Sequence, residues 1–213
     1  MREELPHGGT RLDGSWASNS PVTDSDFVYA YFGSRGPYCF DMKGNLQWEK
    51  DLGHMTIKLG FGEGSSPVFH ADTIVIHWDH EEQSFIIALD KKTGEERWTI
   101  NRDEGTSWAT PVVAKHNRRP QVITSATNRT RSYDLATGEL IRESGGMTMN
   151  AIPSPVAANG MVYVTSGFRG NALQAIRLAG TSGDITDAGA IRQGYPLRPV
   201  APFIQRYTLF PET

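Results

Sequence analysis

Ser66-Pro67-Val68 is the stretch that decides the fold, because the chain contains four versions of it. The four versions are Ser20-Pro21-Val22, Ser66-Pro67-Val68, Thr110-Pro111-Val112 and Ser154-Pro155-Val156. Their prolines are 46, 44 and 44 residues apart. Spacing this even indicates an array of units of about 44 residues, which lies within the period range of propeller blades.

Each unit contains short runs of β-branched and aromatic residues that are separated by turn residues. In the second unit, residues 73–78 and 85–90 are predicted strands, and Lys92-Thr93-Gly94-Glu95 is a predicted turn. We therefore predict an all-β fold, a partial β-propeller of about four four-stranded blades. The predicted blades are residues 15–58, 59–103, 104–147 and 148–190. In the last of them, residues 183–186 offer a fourth turn and strand.

The two ends of the chain do not fit the repeat. Residues 1–14 are polar and glycine-containing, so we expect a flexible lead. Residues 191–213 carry several prolines and fit no fifth unit, so we expect an irregular tail. The N-terminus has no apolar segment, and no secretory signal peptide is predicted in this sequence.

Composition excludes several classes of function. The 213 residues carry a net charge of −3 without clustered basic residues, which argues against a nucleic-acid partner. No apolar run approaches the roughly 18 residues that a membrane span requires. Cys39 is the single cysteine, so an intrachain disulfide and a cysteine-based zinc cluster are both excluded.

Alignment of the units on their prolines indicates residues that dock one blade on the next. An Asp at the end of a strand can accept hydrogen bonds from the turn that follows it. A glycine tolerates the positive φ of a tight turn, and a Trp offers a large apolar face with one donor. The predicted docking residues are Asp41, Asp90, Asp134, Gly44, Gly94, Gly138, Trp48 and Trp98. Arg142 and Arg177 depart from the pattern, which predicts a partial loss of docking chemistry in units three and four.

Two stretches carry a resemblance to a known family. The first is Ala88-Leu89-Asp90-Lys91-Lys92-Thr93-Gly94-Glu95 with Trp98, and the second is Tyr133-Asp134-Leu135-Ala136-Thr137-Gly138-Glu139. Both resemble the pyrroloquinoline-quinone-type β-propeller repeat. That family includes quinoprotein alcohol dehydrogenases, the lipoprotein propeller of the outer-membrane β-barrel assembly machine and exported propellers of unknown role. The chain is most similar to the last group, which implies a periplasmic or extracellular protein. Family propellers close with seven or eight blades, so about half a ring is expected here.

The resemblance also raises the question of a quinone cofactor. Quinoprotein dehydrogenases, as a family, use a calcium ion, a catalytic Asp and a disulfide between adjacent cysteines. This chain has one cysteine, and no Glu, Asn and Asp set matches the family's calcium ligands. We therefore predict no cofactor and no catalytic residue.

Three further motifs have a structural and a functional interpretation. In residues 77–82, His77 and Asp79 share a strand face and could provide two metal ligands. The spacing places no third ligand near them. We therefore predict no metal here, but a solvated strand end on which Trp78 is exposed. Residues 60–66 are glycine-rich but open a strand rather than a helix, which favours an inter-blade loop over a phosphate loop. Asn128-Arg129-Thr130 matches the consensus sequence for N-glycosylation. Because the chain is expected to be bacterial, we predict that this stretch is simply a turn.

The family resemblance also says where a ligand would bind. The Ser-Pro-Val strand is innermost in the family, so the residues before it are expected at the mouth of the central channel. These candidate ligand-binding residues are Trp16, Asn19, Glu63, Ser65, Thr106, Trp108 and Asn150. They suit a sugar, a peptide or a small polar ligand, and ordinary packing between blades is the alternative.

The predicted function is a non-catalytic repeat module that binds a protein or peptide partner, or a small polar ligand, as a scaffold. The alternative is a fragment of a quinoprotein alcohol dehydrogenase-like oxidoreductase. An open array leaves an unpaired strand and an apolar face at each end, so we expect that the chain either self-associates to complete the ring or is completed by missing blades.

Overall fold

The computed structural model of the protein describes residues 15, 17–168, 170–186 and 190–194. The predicted lead 1–14 and the part of the predicted tail beyond residue 194 lie outside the described residues. Among the described residues, the regular secondary structure is β-strand, apart from two short 3-10 helices at Gly33–Arg35 and Lys58–Gly60. The predicted all-β fold is confirmed.

Four antiparallel sheets follow one another along the chain, and each is one blade. Blade 1 contains β1 Val22–Thr23, β2 Phe27–Tyr31, β3 Pro37–Asp41 and β4 Leu46–Glu49. Blade 2 contains β5 Val68–His70, β6 Thr73–Trp78, β7 Ser84–Asp90 and β8 Glu96–Arg102. Blade 3 contains β9 Val112–His116, β10 Arg119–Ser125, β11 Arg129–Asp134 and β12 Leu140–Gly145. Blade 4 contains β13 Val156–Ala158, β14 Met161–Ser166, β15 Ala172–Arg177 and, after β16 Gly183–Asp184, the strand β17 Ala190–Gly194.

The last blade differs from the sequence-based expectation in its outer strand. Residues 183–184 form β16, which does not join blade 4 but pairs in parallel with β12 of blade 3. The fourth strand of blade 4 is β17, which pairs with β15 and overlaps the start of the tail expected to be irregular. The sequence gives no sign of this crossing, because β16 is only two residues long and contains a glycine.

The hydrophobic core lies between blades in three clusters. Tyr29, Val75 and Ile123 occupy equivalent positions on the second strands of blades 1 to 3, and each is almost fully buried against the next blade. Trp48 joins the first cluster and Trp98 the second. Trp78, predicted as exposed, is 1% exposed and stacks on Phe85. That prediction is wrong because the strand end that carries Trp78 is covered from the preceding blade, where Tyr31 meets its ring.

Candidate functional site

A chain of hydrogen bonds joins the innermost strands, and it uses the repeated Ser or Thr of each unit. The amide of Ser20 donates to the hydroxyl of Ser66 at 2.9 Å, and the amide of Ser66 donates to Thr110 Oγ1 at 3.0 Å. The amide of Thr110 donates to Ser154 Oγ at 3.1 Å. We call this series the hydroxyl relay, and it explains the hydroxyl residue that begins the second, third and fourth repeats.

A second contact joins the outer strand of each blade to the next blade. Trp48 Nε1 donates to the carbonyl of Lys91 at 2.9 Å, and Trp98 Nε1 donates to the carbonyl of Leu135 at 3.0 Å. Arg142 stands at the equivalent position of blade 3, and its Nη2 donates to the carbonyl of Leu178 at 3.0 Å. Arg142 thus makes the bond that the Trp residues make, which differs from the loss of docking chemistry expected there.

The turn that receives each Trp contains a glycine for two reasons. Gly94 has φ +72° and Gly138 has φ +75°, a backbone region that glycine adopts without strain. In addition, a Cβ at Gly94 would lie 2.8 Å from the Trp48 ring, and one at Gly138 would lie 2.8 Å from the Trp98 ring. The Asp before each turn holds it, since Asp90 Oδ1 accepts bonds from the amides of Lys92 and Thr93.

One end of the blades carries the longer connections, and we call it the loop end. It is formed by the links between second and third strands and by the links between blades. The main segments are residues 32–36, 79–83, 126–128, 50–67, 103–111 and 146–155. All of the described candidate ligand-binding residues lie at this end, next to the start of the innermost strands.

The candidates that precede blades 1 and 2 are held by contacts within the array. Asn19 Nδ2 donates to the carbonyl of Ser65 at 2.9 Å, and Ser65 Oγ donates to the carbonyl of Ala109 at 3.1 Å. Glu63 accepts a bond from the amide of Ser34 at 2.8 Å and a second from the Ser34 hydroxyl. Trp16 lies outside the described residues.

The candidates that precede blades 3 and 4 meet around one threonine. Thr127 Oγ1 donates to the carbonyl of Thr106 and accepts a bond from the amide of Asn150. The Thr106 hydroxyl donates to Glu81 at 2.7 Å. Asn150 Oδ1 is buried and has no partner among the described residues. The structure therefore brings Thr106 and Asn150 close together, and the side-chain oxygen of Asn150 accepts no hydrogen bond from the described residues.

Trp108 connects the loops before blades 2 and 3. Its Nε1 donates to the carbonyl of Gly62 at 2.8 Å, and its ring lies 6.1 Å from the ring of Phe61. A Cβ at Gly64 would lie 3.0 Å from the same indole, so the glycine-rich segment 60–66 lets the loop approach the ring closely. That segment leads into β5, as expected of an inter-blade loop.

The polar residues at the end of β6 form a buried ion-pair network. Asp79 accepts bonds from His77 Nε2 at 2.7 Å and from Arg102 Nε at 2.8 Å, and all three side chains are fully buried. Burial opposes ionisation of Asp79, but the Arg102 guanidinium and His77 outweigh it and hold the pKa of Asp79 well below its usual range. The solvated strand end predicted here is wrong. His77 Nδ1 also lies 3.2 Å from the carbonyl of Ala109, so both ring nitrogens are engaged by protein groups. No group of three metal-binding side chains occurs in the described part of the chain.

Arg102 extends this network into blade 3. Its Nη1 donates to Thr124 Oγ1 at 3.1 Å and to the Tyr133 hydroxyl at 2.5 Å. Burial lowers and Asp79 raises the pKa of Arg102, and the net pKa lies above its usual value. Arg102 is not recognisable as a functional residue in the sequence, because spacing along the chain does not show that its side chain meets Asp79.

A second set of ion pairs lies beside the first. Arg131 donates to Glu104 at 2.9 Å and to Glu143 at 2.9 Å. The Glu104 carboxylate also accepts bonds from the backbone amides of Asn128 and Arg129, and burial raises its pKa. Of the sequon expected to form a turn, Asn128 lies in the link between β10 and β11, where its Nδ2 donates to the carbonyl of Asp103, and Arg129 and Thr130 begin β11.

Exposed apolar side chains also lie at the loop end. Leu59 is 80% exposed, and its backbone has φ +53°, which strains a residue other than glycine. Phe32, Met149 and Ile152 are further exposed residues of these connections. Met149 directly precedes the candidate Asn150, whereas Leu59, Phe32 and Ile152 belong to no motif in the sequence.

The repeated blade contacts agree with a match to a known protein family. A family model described as "Outer membrane protein assembly factor BamB", of the PQQ_2 type, matches residues 9–185. The chain belongs to this family. The predicted relationship to quinone-type propeller repeats is therefore confirmed. No curated protein matches the chain.

Solved structures share the fold at low sequence identity. BamB from Moraxella catarrhalis superposes with a TM-score of 0.55 at 18% identity, over 74% of this chain and 47% of that one. Quinohemoprotein alcohol dehydrogenase ADHIIG from Pseudomonas putida HK5 gives 0.54 at 12% identity, over 82% of this chain and 34% of that one. The computationally designed Ika8 protein gives 0.53 at 16% identity, over 83% and 50%. The chain spans between a third and a half of these structures, and it shares their fold.

Among the described residues, no helix has the length and hydrophobicity needed to cross a membrane.

Proposed function

We propose that the protein is a non-catalytic propeller module that binds a protein or peptide partner through its loop end. Leu59 is the observation that carries this proposal. Exposure of a large apolar side chain and a positive φ both cost free energy, and such strained residues cluster at functional sites. A partner that covered Leu59 would recover the hydrophobic part of that cost.

The polar residues of the loop end support binding rather than catalysis. Glu63, Thr106 and Trp108 each use their polar atoms to hold an inter-blade loop against a neighbouring segment of the loop end. Such a network fixes loop shape, and rigid loops that present apolar side chains are suited to protein recognition. In the described ranges, we find no His, Cys, Asp and Glu group that would hold a metal ion.

Family membership supports the same proposal. The matching family is described as an outer membrane protein assembly factor, and assembly factors act on other proteins. By this likeness we also propose a periplasmic or extracellular location. A small polar ligand remains the second kind of partner, and the buried, unpaired Asn150 Oδ1 is the atom that favours it.

The alternative of a quinoprotein dehydrogenase fragment rests on the shared fold. The chemistry implied for that family does not fit the residues of this chain. Cys39 is its only cysteine and is fully buried between blades 1 and 2, so a disulfide of adjacent cysteines cannot form.

Selection of peptides tests the proposal directly. A random peptide library displayed on phage is panned against the immobilised protein, and the recovered peptides are measured against Leu59→Ser and Leu140→Ser. Leu140 is the matched control, since it is 43% exposed on the outer strand of blade 3. We expect Leu59→Ser to weaken binding about tenfold or more, the equivalent of about 1.4 kcal/mol, and the control to leave it unchanged.

Two results would contradict the proposal. One is a set of peptides that bind Leu59→Ser as tightly as the unchanged protein. The other is dye-linked alcohol oxidation by the purified protein after addition of pyrroloquinoline quinone and calcium, which would support the dehydrogenase alternative.

A further inference from the structure

The segment that directly precedes Leu59 is held on blade 2 through Thr56. The amide of Thr56 donates to His80 Nδ1 at 3.1 Å, and its carbonyl accepts a bond from the amide of Glu81 at 2.9 Å. Its hydroxyl donates to Glu82 Oε1 at 2.8 Å. Three successive residues of the link between β6 and β7 thus fix the segment that presents Leu59 to solvent.

The hydrogen bonds of His80 define which ring nitrogen carries a proton. The ring is buried, and its Nδ1 must present a lone pair to Thr56, because a backbone amide can only donate. The carbonyl of Gln83 lies 3.1 Å from Nε2 and can only accept, so Nε2 carries the proton. The bound segment therefore requires the neutral ring. A second proton on Nδ1 would point at the amide of Thr56 and break that bond.

We propose that His80 makes the position of Leu59, and with it partner binding at the loop end, sensitive to pH. This inference rests on the proposed function, since Leu59 is the residue that a partner would cover. Histidine side chains change charge between about pH 5 and pH 8. The bound segment excludes a proton that the released segment accepts, so its attachment is complete at the upper end of this range and is lost as pH falls.

The charged groups around the ring include two carboxylates on its own link. Glu81 and Glu82 follow His80 and favour a positive ring. A hydrogen bond from the Thr106 hydroxyl is the main cause that lowers the pKa of Glu81, so this carboxylate stays charged throughout the range. The two carboxylates assist protonation of the ring, and the bond from Thr56 opposes it. The remaining titratable side chains on adjoining elements are His54 and Lys58 on either side of Thr56, Asp79 paired with Arg102, and Glu104 paired with Arg131.

His77 is also buried in blade 2, but acid acts on it differently. Its Nδ1 lies 3.2 Å from the carbonyl of Ala109, and its Nε2 lies 2.7 Å from the carboxylate of Asp79. Both of these partners are acceptors, so protonation of the His77 ring breaks neither bond. The opposite arrangement at His80, one donor and one acceptor, is what makes the attachment of the segment depend on the neutral ring.

NMR of the unchanged protein tests the bond between Thr56 and His80 without any partner. The 15N shifts of the His80 ring report which nitrogens carry protons, and the protection of the Thr56 amide against solvent exchange reports its hydrogen bond. At about pH 7.5 we expect a single proton on Nε2 and a protected amide. At about pH 5.5 we expect a doubly protonated ring and protection that is at least about threefold lower. Equal protection at both values would overturn the inference.

Peptides selected against the loop end test the consequence for binding. A released segment adds an ordering cost to association, so affinity should be at least about threefold lower at pH 5.5 than at pH 7.5. Equal affinities of peptides that depend on Leu59 would overturn the inference and leave the proposed function in place. Failure to select any peptide that depends on Leu59 would contradict the proposed function, and the inference for binding would fall with it.

Two substitutions assign the pH response to one histidine. His80→Asn keeps an acceptor near the position of Nδ1 but cannot be protonated, so Thr56 protection and peptide affinity should no longer change between the two pH values. His54→Asn is the matched control, since it removes an exposed histidine two residues from Thr56 and should keep the response of the unchanged protein. A response that persists in His80→Asn and disappears in His54→Asn would overturn the inference.

Discussion

Blade 3 has two neighbours, and the two contacts are built from different chemistry. Toward blade 2, Thr124 and Tyr133 receive the buried guanidinium of Arg102, which Asp79 neutralises. Toward blade 4, the corresponding region holds small neutral side chains. Ser125 takes the position in blade 3 that His77 takes in blade 2, two residues after the paired Ile123 and Val75.

The contact between blades 3 and 4 leaves polar atoms without partners. The hydroxyls of Ser125 and Thr130 and the amide oxygen of Gln174 are buried and find no hydrogen-bond partner in the described structure. Gln174 reaches blade 3 with its other amide atom, Nε2, which donates to the carbonyl of Gly145 at 2.7 Å. The same docking geometry is thus supported by a complete polar network on one side of blade 3 and by an incomplete one on the other. The comparison predicts that blade 4 is held less firmly than blade 2.

Asp79→Ala should give the largest loss of stability. It leaves the Arg102 guanidinium buried without its counter-ion, and breaking a buried pair in this way costs about 3–5 kcal/mol. The free energy of unfolding from urea titration measures the loss. Asp184→Ala, which removes an exposed partner of Arg129, is the control and should change it little. A small effect at Asp79 would show that the network does not stabilise the contact between blades 2 and 3.

Trp98→Ala and Trp78→Ala should lower the free energy of unfolding by similar amounts, about 3–5 kcal/mol each. Trp98 is 8% exposed and Trp78 is 1% exposed, so both substitutions leave a large cavity between blades. Urea titration of the two variants in parallel checks this expectation. If Trp78→Ala were nearly neutral, the end of β6 would be solvated, as the sequence pattern alone suggests.

Acid should weaken the contact between blades 2 and 3 through Asp79. Its pKa is lower in the folded than in the unfolded protein, so its contribution is complete above pH about 4 and decreases as pH falls toward the folded pKa. The free energy of unfolding measured between pH 5 and pH 2 should therefore fall less steeply for Asp79→Ala than for the unchanged protein. Equal slopes would assign the acid sensitivity to other carboxylates.

The same type of substitution can be made on both faces of blade 3, as Thr130→Val toward blade 4 and as Thr124→Val toward blade 2. Thr124 Oγ1 accepts a bond from a buried charge, so its loss should cost about 1.5–3 kcal/mol. Thr130 Oγ1 is buried without a partner in the described structure, so its removal should be neutral or slightly stabilising. Urea titration measures both, and a Thr130→Val loss as large as that of Thr124→Val would remove the difference between the two contacts.

The sequence was informative where local chemistry repeats. The period of the Ser-Pro-Val stretch predicts four blades, and the spacing of Asp90 and Gly94 predicts the turn that receives Trp48. These features depend on neighbouring residues, so they are visible in one sequence.

The sequence was uninformative where distant residues meet. Asp79 directly follows β6 and Arg102 ends β8, and in the sequence each polar residue on its own suggests a solvent-exposed strand end. Arg142 replaces the Trp of the first two repeats, yet its long side chain donates to the carbonyl of Leu178, which is equivalent to the carbonyls that accept from Trp48 and Trp98. The pairing of β16 with blade 3 is also non-local, and Leu59 carries no motif at all.

Hydrogen exchange tests most directly the claim that the two faces of blade 3 differ in stability. The amides of β6, β7, β10 and β11 should open together with the highest free energy, and those of β14 and β15 should open at a lower one. In Asp79→Ala, protection should fall in β6 and β10 and stay unchanged in β14. Equal protection of β14 and β6 in the unchanged protein, or a uniform fall in all four blades of the variant, would contradict the claim.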